Sequence, residues 1–283
     1  MMNNSTKRQT PAQRVKSEYD ELMENFALPD EDRVVITALN RKGGAGKTTM
    51  IQSLVSAAAH FGVSVLVVDL DPQRNTWSWA IRSGFDTGTD NEGQKDHSLF
   101  EKIKVRATDR STDVQKLIDA SPQSQIVLVD TPGTVGDWYV DILEFSDVLL
   151  TPVVLSPSDM ETSQETFKFY EDVKNALIDP LNFPFHMAVC SRCKSDAAST
   201  KLQNQLSEEF SEKFPTVETP LMERPLVANI GKAGLWQDHM ESCVRVQRHL
   251  FMEGLCEGAD LLLEVADIAH AHMDLQRSHG LRD

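Results

Sequence analysis

Cysteine is scarce: four in 283 residues, at positions 190, 193, 243 and 256. Thiols so few and so unevenly spaced exclude the disulfide framework of a small secreted fold and predict a reducing compartment. Long hydrophobic runs are absent too, since no window reaches the 18 or so apolar residues of a membrane-spanning helix. The opening MMNNSTKRQT has basic residues but no apolar stretch behind them, which argues against a signal peptide. Together these absences predict a cytoplasmic protein with no membrane attachment. Positive charge is also short, with 28 Lys+Arg against 43 Asp+Glu, a formal net charge of −15. Such a chain repels a polyanion unless its cations are gathered locally or across an oligomer, which argues against casual nucleic-acid binding. What remains is ordinary globular composition, 40% hydrophobic and 25% charged. A chain of this length buries about three quarters of its unfolded surface, which excludes disordered and fibrous classes.

Residues 1–32 stand apart from the rest. Lys7, Arg8, Arg14 and Lys16 precede any acid, and seven acids follow between Glu18 and Asp32. Thr10 and Pro11 suit a helix cap and first turn, and Val15, Tyr19, Leu22, Met23 and Phe26 recur at helical spacing. The expectation is an amphipathic helical appendage that covers its own domain or docks a partner. From Arg33 apolar runs alternate with helical segments, so residues 33–283 are expected to form one α/β domain, a mostly parallel twisted sheet flanked by helices. The runs that suit buried strands are Val34 to Ala38, Val63 to Val68, Ile126 to Val129, Val148 to Val154 and His186 to Cys190. Helices are expected to start near Lys47, Gln164, Ala197 and Gln237, and the polar stretch Ser83 to Asp96 is expected to be a surface loop.

The chemistry concentrates in VVITALNRKGGAGKTTM, residues 34–50. An apolar strand, a glycine-rich turn and a helix follow one another, the context that a phosphate-binding loop requires. Gly43, Gly44 and Gly46 let backbone N–H groups face a polyphosphate without Cβ interference, and the helix adds its N-terminal dipole. Lys47 is placed to reach the β- and γ-phosphates and Thr48 to meet Mg2+. One position departs from G-x-x-x-x-G-K-[ST]: Arg41 stands where the first glycine belongs, and Lys42 follows it. Two further strands end on acids. VLVVDLDPQRN carries Asp69 and Asp71, and IVLVDTPG carries Asp130 with Gly133 behind it. Carboxylates at the carboxyl edge of a sheet lie where ligands of α/β folds bind, and Asp130 suits the acid that holds Mg2+ directly or through water.

KGGAGKTT with the extra Lys42, then DLDPQ, then VDTPG, resembles the deviant Walker A ATPases of the ParA/MinD group, and among them the ParA-type partition ATPases. The resemblance runs from about Val34 to about Leu235. It implies a phosphate-binding-loop NTPase fold and ATP bound with Mg2+ by Lys42, Gly43, Gly44, Ala45, Gly46, Lys47, Thr48 and Thr49. It further implies catalytic roles for Lys42, Lys47 and Asp71, and metal contacts from Thr48, Asp71 and Asp130. Lys42 matches the family's signature lysine, which crosses an ATP-dependent homodimer to the partner's phosphates; a cation from each subunit offsets the repulsion of two facing triphosphates. Asp71 matches the acid that activates the attacking water, and Asp69 is left a supporting or switching role. The implied function is a slow ATPase that positions or segregates DNA, as in plasmid or chromosome partition, with a DNA-binding or cargo protein stimulating hydrolysis. PLMERPLVANIGKAGL, residues 220–235, is similar to the late Arg-containing segment of small partition ATPases and of ATPases that help conjugative DNA processing, so recruitment of a DNA-transfer complex is the alternative.

Three features stay open. Cys190 and Cys193 form a C-x2-C pair, which also fits an iron–sulfur or metal carrier, although Cys190 ends an apolar strand where a small buried thiol is common. Arg192, Lys194, Lys201, Arg224 and Lys232 are candidates for contact with non-specific DNA, Arg192, Arg224 and Lys232 foremost, yet acids interleave with them. Leu261, Leu262, Val265, Ile268 and Leu275 repeat at helical spacing with acids opposite, which suits packing or oligomerisation better than a membrane surface.

Overall fold

The computed structural model describes residues 10–28, 32–88, 102–134, 136–176, 182–194, 200–225, 227–244 and 247–282. Seven parallel strands form the sheet: β1 (Val34–Ala38), β2 (Val65–Asp69), β3 (Ile103–Ala107), β4 (Ile126–Asp130), β5 (Val148–Val154), β6 (Phe185–Cys193) and β7 (Leu221–Met222). Their order is β3-β2-β4-β1-β5-β6-β7. The central strands β1, β2 and β4 are buried along their whole length because both faces are covered, which gives them hydrophobic runs broken only by Thr37 and the terminal Asp69 and Asp130.

Side chains alternate between two cores. Val34, Ile36, Val65, Val67, Ile126 and Leu128 face α2 (Lys47–His60), α3 (Asn75–Ser83) and the long α10 (Arg248–Ser278). Val35, Leu66, Val68, Val127, Val129 and Leu149 face α4 (Val114–Asp119), α5 (Trp138–Phe145) and α6 (Pro157–Ala176). A third cluster packs Phe210 of α7 (Lys201–Lys213) on Ala188 of β6. Two short helices, α8 (Val227–Lys232) and α9 (Trp236–Ser242), lead into α10. Leu261, Leu262 and Val265 of α10 lie in the first core, so this segment packs on its own sheet. Gly258 lets α10 close on α2: a Cβ there would stand 3.0 Å from the Ser53 carbonyl oxygen.

The appendage helix α1 (Pro11–Asn25) is capped by Thr10 and Gln13 reciprocally. It lies along α10, with Tyr19 and His60 sharing a 2.7 Å hydrogen bond and Phe26 stacked on Phe61. The covering role is therefore met within the chain. Lys7 and Arg8 lie outside the described residues.

Several boundaries differ from expectation for identifiable reasons. β2 begins at Val65, because Gly62 turns with positive φ and Val63 donates back to Ala58 at the end of α2. α6 begins at Pro157 instead of near Gln164, proline being suited to a first turn. α7 begins at Lys201 behind a Thr200 cap; the start expected at Ala197 falls outside the described residues. Of the expected loop, residues 89–96 lie outside them too, while Phe85 is buried against Trp79. Helices α3, α4, α5 and α8 and strands β3 and β7 were not expected.

Candidate nucleotide site

The carboxyl ends of β1, β2 and β4 meet at one edge. Register pairs Ala38 with Asp130 and Asp130 with Asp69, so the loop after β1 and both acids converge. The loop is anchored at its start by Asn40, a buried side chain whose amide donates to the Pro152 carbonyl at 2.9 Å while its oxygen accepts from Lys42 N. Gly44 (φ 80°) and Gly46 (φ 103°) have the left-handed geometry that closes the loop onto α2. The Asp130 loop presses directly against it, since a Cβ on Gly133 would stand 3.1 Å from Gly43.

The two lysines are held differently. Lys47 is buried inside the loop and donates to the Asn40 carbonyl at 3.1 Å, and burial lowers its pKa against the raising pull of Asp130 and Asp71. Lys42 points away from that cradle, its ammonium 2.8 Å from Asp159 and 3.3 Å from Ser158 on α6. Lys47 thus serves its own loop, and Lys42 stands at the rim.

Asp130 is fully buried, and its Oδ2 accepts both Thr48 (2.9 Å) and Thr76 (2.6 Å), while Oδ1 has no protein partner. Burial raises its pKa in spite of those hydroxyls. A buried carboxylate oxygen without a donor, beside a threonine hydroxyl, is a hard oxygen set that fits Mg2+ and its waters. Asp69 is also buried; it accepts from Asp71 N at 3.0 Å and Trp77 N at 2.8 Å, and burial pushes it up to about 6. It shapes the turn. Asp71 is half-buried and accepts from Gln73 N, and it lines a cavity of about 570 Å3 with Gly44, Lys47, Thr48, Gly133 and Arg192. Such a cavity can hold a polyphosphate against N–H groups, a lysine and a divalent cation, with Asp71 available to a water. A larger cavity, about 860 Å3, opens at the opposite end of the strands, where Arg33, Arg277 and Arg282 are already engaged by carbonyls, Asp32 and Asp147.

Residues 42–49, Asp71 and Asp130 are thus brought together. Asn40, Thr76 and Asp159 join them, unforeseen from the sequence. The proposed DNA face is not assembled as expected. Arg224 is only 15% exposed in its side chain, paired with Glu257 and close to Glu253, so it is no surface cation. Arg192 turns toward the phosphate loop, donating to the Gly44 carbonyl at 3.3 Å. Lys232 is exposed at the end of α8, its carbonyl accepting from Arg82 at 2.6 Å. Cys190 and Cys193 are joined to each other as a disulfide, in place of the reduced thiols expected from the sequence, and no group of three or more His, Cys, Asp or Glu among the described residues is placed to hold a metal. The carrier alternative has no support in this geometry. No described helix is long and apolar enough to cross a membrane.

Protein virC1 of Rhizobium rhizogenes is 27% identical over 205 residues, 71% of this chain and 81% of that protein. Among solved structures, the MinD cell division protein of Aquifex aeolicus aligns with TM-score 0.57 at 16% identity, over 81% of this chain and 97% of its own. pNOB8 ParA bound to nonspecific DNA aligns with TM-score 0.50 at 17% identity, over 86% and 99%. At such identities the structural likeness speaks for the fold alone. The CobQ/CobB/MinD/ParA nucleotide binding domain matches residues 36–235, a span that holds the phosphate loop, Asp71 and Asp130 together, and the chain belongs to that family.

Proposed function

We propose that this chain is a cytoplasmic Mg2+-dependent ATPase that dimerises on ATP and separates on hydrolysis, and that this cycle positions or segregates DNA. The observation that carries the reading is the division of labour between Lys47, buried in its own loop, and Lys42, held at the rim by Asp159. A cation outside its own cradle is free to serve another subunit's phosphates once its local partner is given up. Residues 42–49 grip the nucleotide, Thr48 and Asp130 hold Mg2+ with Asp71 nearby, and Asp71 activates the water. Hydrolysis by the chain alone is slow, and a DNA-binding or cargo protein stimulates it. Recruitment of a complex for conjugative DNA transfer is the second reading, favoured by the segment 220–235.

Asp71→Ala tests the cycle. It removes water activation but leaves Lys47 and Thr48 in place, so ATP stays bound, turnover falls by about a hundredfold and dimer accumulates. Loss of nucleotide binding, or hydrolysis at the wild-type rate, refutes the role given to Asp71.

A further inference from the structure

Arg74 is one of two non-glycine residues among those described with positive φ (54°), the other being Arg192. L side chains rarely adopt that geometry and glycine does so freely, so the turn before α3 retains an arginine where the backbone favours none. The side chain is engaged at both terminal nitrogens. One guanidinium nitrogen donates to the Asp69 carbonyl at 2.6 Å and the Thr108 carbonyl at 2.9 Å, and the other pairs with Asp109. Its own N–H donates to the Asp71 carbonyl at 2.9 Å. The fork thus spans the carboxyl ends of β2 and β3 from outside the phosphate cavity, which Asp71, Gln73 and Asn75 line and Arg74 does not. On the other side of the same segment, Thr76 is tied to Asp130. The segment that follows Asp71 is therefore anchored at two points, Arg74 at the ends of β2 and β3 and Thr76 at Asp130.

We propose that Arg74 is a positioning residue for hydrolysis: its fork on the Asp69 and Thr108 carbonyls holds the Asp71 turn so that the carboxylate faces the phosphate cavity. The proposal rests on the reading of Asp71 as the group that activates water. Arg74 touches neither the nucleotide nor the water, so its loss acts on kcat and leaves the phosphate grip intact.

Arg74→Gly is the informative change, because glycine keeps the positive φ while the fork is removed. Steady-state hydrolysis and binding of a non-hydrolysable ATP analogue are measured for the wild type, Arg74→Gly, Arg74→Lys, Asp71→Ala and the Asp71→Ala/Arg74→Gly double variant. The expected result for Arg74→Gly is a kcat lower by about tenfold or more, with KM and analogue affinity within about twofold. Arg74→Lys, which keeps a cation that can reach one carbonyl, falls between it and the wild type. Added to Asp71→Ala, Arg74→Gly lowers the rate no further, because both changes remove the same group from the reaction. Wild-type kcat in Arg74→Gly, with Asp71→Ala impaired, overturns the proposal alone. The same tenfold loss in both backgrounds also overturns it, since Arg74 would then act independently of Asp71. Wild-type hydrolysis in Asp71→Ala overturns the reading of Asp71 and the proposal with it. If Arg74→Gly melts well below the wild type, Arg74→Lys carries the test: a selective kcat loss supports the proposal and an unchanged kcat overturns it.

Discussion

Lys42 gives the sharpest prediction, because the structure shows what it must abandon. Its ammonium lies 2.8 Å from Asp159, with the lysine side chain 36% exposed and the aspartate 16%. A pair so placed is screened by water on one side and is worth about 0.5–1 kcal/mol. A dimer that uses both lysines in trans breaks two such pairs, a cost of about 1–2 kcal/mol, or about five- to thirtyfold in its dissociation constant. Asp159→Asn removes that cost and is expected to tighten the ATP-dependent dimer by this factor, while Lys42→Ala binds nucleotide but stays monomeric. Lys47→Ala, by contrast, loses tight nucleotide binding itself, since its ammonium serves its own loop. Sedimentation with a non-hydrolysable analogue reads dimerisation, and calorimetry reads affinity. If Lys42→Ala dimerises like the wild type, the trans role is wrong; if Asp159→Asn dimerises no better, the pair does not restrain the lysine.

Arg224→Ala leaves the largely covered Glu257 carboxylate with the Met222 N–H but without its cation and is expected to destabilise the fold by about 3 kcal/mol, seen as a lower urea midpoint, before any effect on DNA can be read. Glu257→Ala/Arg224→Ala should be milder than the sum of the single changes. His186 is buried, stacked on Phe167 and bonded to Thr151, and burial lowers its pKa to about 3. The unfolded chain takes up that proton near pH 6.5 and the folded chain does not, so this group's stability is intact above pH 6.5 and lost as pH falls below it. The loss between pH 7 and pH 5 is about 2 kcal/mol; chemical denaturation of His186→Gln should show a correspondingly smaller drop, and an identical drop would refute the assignment.

The phosphate site was legible because its chemistry is local: a strand, three glycines, Lys47 and Thr48 occupy one stretch, and a strand-end acid announces itself wherever an apolar run stops. What the sequence hid is what the sheet order brings together. Thr76 reaches Asp130 across 54 positions, and nothing around NTWSWAIRS marks that threonine as a partner of a carboxylate. Asp159 lies 117 positions from Lys42 and reads locally as an acid in the first turn of a helix. β3 escaped notice because IKVRA alternates instead of running apolar: Ile103 and Val105 are buried, while Lys104 and Arg106 are half-exposed at the sheet's edge. Period-two alternation was the available signal. Arg224 was misread because its partner Glu257 is on α10, so the local sequence MERP shows a cation with only one acid beside it.

The withdrawal of Arg224 into its pair with Glu257, and the turn of the exposed Arg192 toward the phosphate loop, alter how this chain can meet DNA. Pairing two chains of net charge −15 doubles the acids along with the bases, so dimerisation attracts a polyanion only by placing particular cations side by side. Lys232 is exposed, and its backbone is fixed by Arg82 at the end of α8. If such residues form the face, binding is a phosphate-backbone interaction whose affinity falls with salt at about 0.9 log units per log unit for each phosphate neutralised. Lys232→Glu should then reduce retention on a random-sequence duplex in the presence of ATP, and lower the salt slope by about two for a dimer that presents the residue twice, with nucleotide affinity unchanged. Retention that is indifferent to both salt and Lys232 would mean that DNA is held through a partner protein instead of by this chain.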